Sequence, residues 1–301
     1  MPYKHVALIG LGLISSSIAL SLRRENSNVR ITGTSRSLET RTKAVQLGIC
    51  EVFESSVETV DGADLIVLCV PVGAMASVVK EFASTLEPGV TLTDVGSVKV
   101  EVIANVTPLL PKGINFIPGH PLAGTEHSGP DSGFSTLFDN RWCLLTPLKK
   151  SPLEPLDRLR KFWEGLGAKV DIMEAEHHDL VLAVTSHVPH LIAYTMVGVA
   201  DDLANVTKSE VINYSAAGFR DFTRIAASDP TMWRDVFLNN KDASLEILGR
   251  FTEELTALQR AVRRGDGDLL FDYFTRTRLV RRRILDAGQD TEEPNFGREK
   301  N

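Results

Sequence analysis

The chain reads as an α/β protein, with a doubly wound parallel sheet in its first 173 residues and an all-α region after it. Three observations carry this reading. An aliphatic strand, His5 to Ile9, turns on two glycines into a helix, Leu13 to Arg24. Strand-like and helix-like runs then alternate as far as Met173, as a sheet with crossover helices requires. Beyond Met173 no β-branched alternating run occurs, and only helical periodicity remains.

The elements follow in order. After the first strand come Gly10 and Gly12, which open the helix Leu13 to Arg24. Val29 to Thr34 is the second strand, and Thr40 to Gly48 carries helix signals with Gly48 at the stop position. Ala63 to Val70 is nearly all apolar and ends at Pro71, as a parallel strand buried on both faces does. Val90 to Asp94 and Asn115 to Pro118 are the next strands. Arg141 to Thr146 and Ala168 to Met173 are expected to complete the same sheet, with the helix Leu153 to Leu166 between them. Glu174 to Ala200, Lys208 to Asp221, Pro230 to Leu258 and Leu269 to Leu285 read as helices. The polar end, 288–301, has little to bury and is expected to be a disordered tail. The expected domains are therefore 1–173, 174–287 and the tail.

Composition narrows the partners. The chain has 301 residues, 43% hydrophobic and 24% charged, which suits a soluble protein of two domains. A net charge of -6 argues against a nucleic-acid partner held through phosphates. Lys4 and His5 run straight into the first strand, so no cleavable signal is expected. Cys50, Cys69 and Cys143 are three cysteines at unrelated spacings, read as reduced thiols of a cytoplasmic protein. Leu180 to Ala200 has the length to cross a membrane, but His187, Pro189 and His190 in its middle favour a buried core helix over a span.

Several stretches can do chemistry or hold a ligand. The turn at Gly10, Gly12, Leu13 and Ile14 points backbone N–H groups and a positive helix end at one spot, an arrangement that holds a pyrophosphate. The full fingerprint of a Rossmann-type domain wants glycine or alanine where this chain has Ser15; alone, the turn also fits an ordinary βα connection. At the end of the second strand stand Ser35, Arg36 and Ser37 in place of the acidic residue that would select NAD. The expectation is NADP over NAD, the alternative being Arg36 as a solvated charge. Val70 and Pro71 lie at a strand's carboxyl end, where ligands collect in such sheets. His120, framed by Gly119 and Pro121, is a candidate proton acceptor, with Ser97 in a neighbouring turn to orient it or the substrate. Ser186, His187, Pro189 and His190 form a second group; His187 and His190 share a helical face, but no carboxylate completes a metal set, so no metal is expected, and each histidine is either a satisfied core residue or faces the substrate. Gly218 to Asp235 sets Arg220, Arg224 and Arg234 among aromatics, with Asp221 three residues before Arg224; such a pair makes a surface or interface salt bridge or, in a cleft, a fork for a substrate carboxylate. The Arg276 to Arg283 run reads as a solvated helix face.

Taken together, G-L-G-L-I at Gly10 to Ile14, D-x-G-S-V-K at Asp94 to Lys99, G-H-P-L-A-G-T-E at Gly119 to Glu126, S-H-x-P-H at Ser186 to His190 and F-x-D-F-T-R-I-A at Phe219 to Ala226 resemble the motifs of the prephenate/arogenate (cyclohexadienyl) dehydrogenases of tyrosine biosynthesis. The resemblance spans roughly residues 5 to 285. It implies oxidative decarboxylation of prephenate or arogenate, with hydride passing from C4 of the ring to NAD(P) and the C1 carboxylate leaving as CO2. It further implies His120 as the base on the C4 hydroxyl, Ser97 as its support and Arg224 as a carboxylate clamp. Ser186, His190, Glu126, Asp221 and Trp233 match pocket positions. A homodimer through the helical domain is implied, with 1–173 holding the dinucleotide and 174–287 the substrate. No mutase segment is expected before Val6 and no regulatory domain after Leu285, so feedback by tyrosine, if present, is expected to act at the active site.

Two other readings share the fold plan. A β-hydroxyacid dehydrogenase or imine reductase would resemble its class in a helical K-x-x-x-N, yet neither Lys208 nor Lys241 has Asn four residues on. A non-catalytic dinucleotide sensor would keep the Gly10 turn but have no need of His120 with Arg224.

Overall fold

A computed structural model describes residues 1–25, 27–125, 127–207 and 214–286, without the side chains of 204–207. Residues Met1–Leu245 form one compact unit, and the chain from Glu246 onward forms a second.

The first unit is built on six parallel strands: β1 (His5–Ile9), β2 (Arg30–Thr34), β3 (Glu51–Val52), β4 (Leu65–Leu68), β5 (Thr91–Asp94) and β6 (Asn115–Phe116), in the order β3-β2-β1-β4-β5-β6. Helices α1 (Leu13–Arg24), α2 (Leu38–Gln46), α3 (Ser56–Val60), α4 (Val72–Phe82) and α5 (Val100–Val106) make the crossovers. The strand order turns back between β1 and β4, which puts the ligand crevice at their carboxyl ends. Every residue of β1 is buried, and its side chains alternate between two cores. Val6 and Leu8 pack with Ile18 and Leu22 of α1. Ala7 and Ile9 pack with Met75, Val79 and Phe82 of α4. A strand covered on both faces needs this continuous aliphatic run.

The sheet differs from expectation at its far end. The runs predicted to complete it form a separate three-stranded sheet, β7 (Gly119–Pro121), β8 (Trp142–Leu145) and β9 (Lys169–Ile172), with β7 antiparallel to β8 and β8 parallel to β9. Pro118 supplies the reason: it has no N–H to extend the parallel ladder, and its carbonyl instead accepts from the Thr146 N–H at 2.9 Å. His120 is therefore a strand residue, opposite Leu144, and not a turn residue. Helix α6 (Leu153–Gly165) packs Leu159, Phe162 and Trp163 into the α1 side of the core.

The helical part starts with α7 (Ala175–Leu182), a π-helical turn at Ala183–His187, and α8 (Val188–Thr207). In the turn the Val188 N–H reaches back five residues to the Ala183 carbonyl. Pro189 lies just beyond it and lacks the N–H that would close the regular ladder. The apolar run was expected to be a buried core helix. The continuous helix Ala175–Leu203 has the length and composition to cross a membrane, and only 28% of its apolar window is buried within the chain, so the expected core helix is covered on one face alone. His178, Asp179, Leu182, Ala183 and His187 face inward, while Val184, Met196, Val197, Val199 and Leu203 are exposed.

Then come α9 (Ala217–Thr223), α10 (Pro230–Asn239), α11 (Lys241–Arg264) and α12 (Gly267–Asp286). The single helix expected over Pro230 to Leu258 breaks at Asn240, which leaves helical backbone (φ -120°, ψ 45°). The start of the helix expected at Lys208, and the tail expected at 288–301, lie outside the described residues. Cys50, Cys69 and Cys143 are free thiols, and burial pushes Cys50 up to about 12.

Candidate active site

The glycine turn has two glycines with different duties. Gly10 sits at φ +100°, and a Cβ there would lie 2.6 Å from the Cys69 carbonyl oxygen, so the close approach of β1 to β4 demands it. Apart from its own chain neighbours, Gly12 has no atom of the described residues within 4 Å of where its Cβ would stand. No internal contact requires it to be glycine; the empty space is a cradle that fits a pyrophosphate. Ser15 takes a more active part than a small filler. Its Oγ accepts from the Gly12 N–H at 2.8 Å and donates back to the Gly12 carbonyl at 3.0 Å, which fixes the helix start. The N–H groups of Leu13 and Ile14, in the first turn of α1, have no intrahelical acceptor, as at any helix start, and are open to an anion. Replacing Gly12 by alanine is expected to weaken NAD(P) binding about tenfold with an unchanged urea midpoint. A loss of stability with unchanged binding would show that the cradle serves the fold alone.

At the end of β2, the Arg41 Nη1 donates to the Ser35 carbonyl at 2.6 Å and the Arg36 carbonyl at 3.2 Å. Ser37 Oγ caps α2 by accepting from the Thr40 N–H at 3.2 Å. The Arg36 side chain is exposed above this braced loop. Val70 and Pro71, the latter capping α4, border Gly10 from the β4 side.

His120 is buried. Its Nδ1 lies 2.9 Å from Nε2 of His178, and the His178 Nδ1 lies 2.8 Å from Oδ1 of Asp179. Asp179 also accepts the Lys99 N–H at 2.8 Å and the Val100 N–H at 2.9 Å, tying α7 to the first turn of α5. Ser97, half-buried, lies in the bend just before α5, two residues ahead of Lys99. Beneath it, the fully buried Lys99 ammonium pairs with the Asp94 carboxylate and donates to the Gly119 carbonyl at 2.7 Å. Asp94 accepts in turn from the Gly96 N–H at 2.8 Å and the Gly119 N–H at 3.3 Å. The end of β5 and the start of β7 are thereby locked together, and His120 is held beside the Ser97 turn. Burial, and then the nearby His178 and Lys99, hold the His120 imidazole well below its ordinary range, so it is neutral at pH 7.

The second group assembles on the π-helical turn. The His190 Nδ1 donates to the Ser186 carbonyl at 2.8 Å, and its ring stacks on Trp233 with centroids 3.7 Å apart. His187 is fully buried, 3.0 Å from the Asn240 side-chain nitrogen, which also donates to the Asp179 carbonyl at 2.8 Å. Burial lowers His187 to about 4. Burial also lowers His190, and the charge of Arg224 lowers it further, which places Arg224 within electrostatic reach of that ring. Charge coupling likewise links His120 to His187 and His187 to His190. Trp233 is packed inside, its Nε1 without a partner among the described residues, while Asp221 is exposed on α9. Glu126 lies outside the described residues. Among the described residues no three His, Cys, Asp or Glu side chains are grouped to hold a metal ion.

His178, Asp179 and Asn240 are not singled out by the sequence, and Asp94 and Lys99 stand in a quoted motif with no role attached to them. One signal was present: His178 and Asp179 stand four and three residues before Leu182, on the inward face of an apolar helix.

The histidines set a pH dependence. His5, His120, His178, His187 and His190 are all lowered mainly by burial, so the unfolded chain binds more protons below pH 6.5. Stability is therefore present above that pH and is lost as pH falls. His187 alone, lowered to about 4, contributes on the order of 3 kcal/mol across the window. The urea midpoint should drop between pH 7.5 and 5.5, and a flat profile would contradict the burial.

With this geometry in place, comparisons with known proteins are specific. Residues 18–172 match the nucleotide-binding domain of prephenate dehydrogenase, and residues 174–276 match its dimerization domain. The chain is 41% identical to the cyclohexadienyl dehydrogenase of Zymomonas mobilis over 93% of its own length and 95% of that protein's. It is similar to the crystal structure of Aquifex aeolicus prephenate dehydrogenase in complex with hydroxyphenyl propionate and NAD+, with a TM-score of 0.86 and 35% identity over 93% of this chain and 98% of that one. It is also similar to Synechocystis arogenate dehydrogenase, with a TM-score of 0.77 and 28% identity over 93% of this chain and 99% of that one.

Proposed function

The chain belongs to the prephenate dehydrogenase family, and from that premise we propose that it oxidatively decarboxylates prephenate, arogenate or both, with NADP preferred over NAD as hydride acceptor. This reading replaces the hydroxyacid dehydrogenase and sensor alternatives. The observation that carries it is a neutral, buried imidazole, His120, held beside the Ser97 turn within the unit that also holds His190 and Arg224.

The chain's own residues bind, orient and manage one proton. When bound at the Gly12 cradle, NAD(P)+ supplies the acceptor for the hydride leaving C4. His120 takes the proton of the C4 hydroxyl, and Ser97 holds that hydroxyl in line with the ring. Arg224 binds a substrate carboxylate through its planar fork, with Ser186, His190 and Trp233 forming the wall behind it. Burial around His120 excludes water from the reacting hydroxyl. CO2 loss and aromatisation drive the step, so positioning is the main task of the protein.

NADP fits because an exposed Arg36 and a braced Arg41 stand where a carboxylate would repel the 2′-phosphate. Replacing Arg36 by aspartate should shift the NADP/NAD ratio of kcat/KM toward NAD by about a hundredfold. An unchanged ratio would refute the preference. The exposed apolar face of α8 suits a homodimer, and three free thiols suit a reducing cytoplasm. The direct assay adds prephenate or arogenate to the protein with either cofactor and follows the absorbance of the reduced nicotinamide. No reduction in any of the combinations would overturn the assignment.

A further inference from the structure

We propose that His178 and Asp179 are positioning residues that fix which ring nitrogen of His120 carries the lone pair. This rests on the reading of His120 as the proton acceptor.

The chemistry of the three groups leaves one arrangement. The Asp179 carboxylate offers acceptors only, and two of its bonding positions are taken by the Lys99 and Val100 N–H groups. The His178 Nδ1, 2.8 Å away, must therefore carry the hydrogen. A neutral His178 then presents a bare Nε2, 2.9 Å from the His120 Nδ1. That Nδ1 donates, which leaves the His120 Nε2 without a hydrogen and free to accept one. His178 is fully buried and Asp179 nearly so, which shields this chain of contacts from bulk solvent. When the His120 Nε2 takes the hydroxyl proton, the positive charge spreads over a ring whose other N–H already points at His178, with the carboxylate beyond. The same carboxylate grips the start of α5, two residues beyond Ser97, so one side chain sets the register of both groups facing the reacting hydroxyl.

The test uses the full-length enzyme and three variants. His178→Phe should lower kcat about a hundredfold with KM for substrate and cofactor within about threefold of wild type. His178→Gln, whose amide donates to Asp179 and accepts from His120, should restore kcat to within about tenfold of wild type. Long-range nitrogen–proton NMR on histidine-labelled protein should show His120 protonated at Nδ1 in the wild type and the Gln variant, and a mixture of tautomers in the Phe variant. The relay is overturned if His178→Phe keeps kcat within about threefold, or if the tautomer of His120 is the same with and without His178. If the Phe variant does not fold, the Gln variant decides alone: loss of kcat beyond about tenfold, or a mixed tautomer, overturns it. His120→Asn, assayed beside them, separates the failures. Turnover retained there removes His120 as base, whereas turnover lost there but kept in His178→Phe removes only the relay.

Discussion

Replacing His120 by asparagine is expected to lower kcat by about three orders of magnitude while the affinity for NAD(P) stays within about twofold. Asparagine is close in size to the inner half of the imidazole, and its amide can still donate to the His178 Nε2. The buried neighbourhood is therefore kept, and only the proton-accepting nitrogen is lost. Hydride loss from a carbon whose hydroxyl keeps its proton leaves an oxygen-protonated cation, which is the expensive path. The pH profile gives an independent check. The limb of kcat/KM reports the free enzyme, where burial holds His120 well below its ordinary value of 6.5. Activity should persist to pH values at which an exposed histidine is already protonated, and this acid limb should vanish in the variant. Near-normal kcat in His120→Asn would remove the imidazole from the reaction.

What the sequence disclosed depended on how local the signal was. Strand β1 and helix α1 are legible to the residue, because an aliphatic run on both sheet faces and a glycine turn are local features. The separate sheet β7-β8-β9 was not legible. The run Trp142–Leu145 looks like any interior strand, and nothing in it says that its partner is Gly119–Pro121 and not Asn115–Phe116. Pairing is a tertiary decision, made here by the missing N–H of Pro118. His120 and Arg224 stood out because their neighbours form recognisable motifs. His178, Asp179 and Asn240 did not, since a polar residue at a helix start or end reads as a solvated cap until the fold shows what covers it. Asn240 illustrates the limit. Its side chain joins the Asp179 carbonyl to His187 only because the helix breaks at that residue, and the periodicity of Pro230 to Leu258 carries no sign of the break.

Replacing Arg224 by alanine is expected to raise KM for the substrate about a hundredfold and to leave NAD(P) affinity within about twofold. Arg224 opens the 3-10 turn Arg224–Ala227 after α9, half-buried, with the α8 residue Tyr194 donating to the Ser228 carbonyl at 2.8 Å just beyond it. That bond holds the turn that bears Arg224 against the helix bearing His190, whereas the cofactor cradle lies at the glycine turn. A carboxylate remote from C4 is bound equally in the ground and transition states, so the effect should appear in KM far more than in kcat. Lysine at this position should recover only part of the loss, because it restores the charge but not the two parallel donors. A second measurement needs no substrate. The Arg224 charge contributes to lowering His190, so in Arg224→Ala the His190 titration should move up toward its ordinary value. If His190 does not move, the guanidinium is not near that ring. If His190 moves but KM does not, Arg224 is in place and the carboxylate is bound elsewhere.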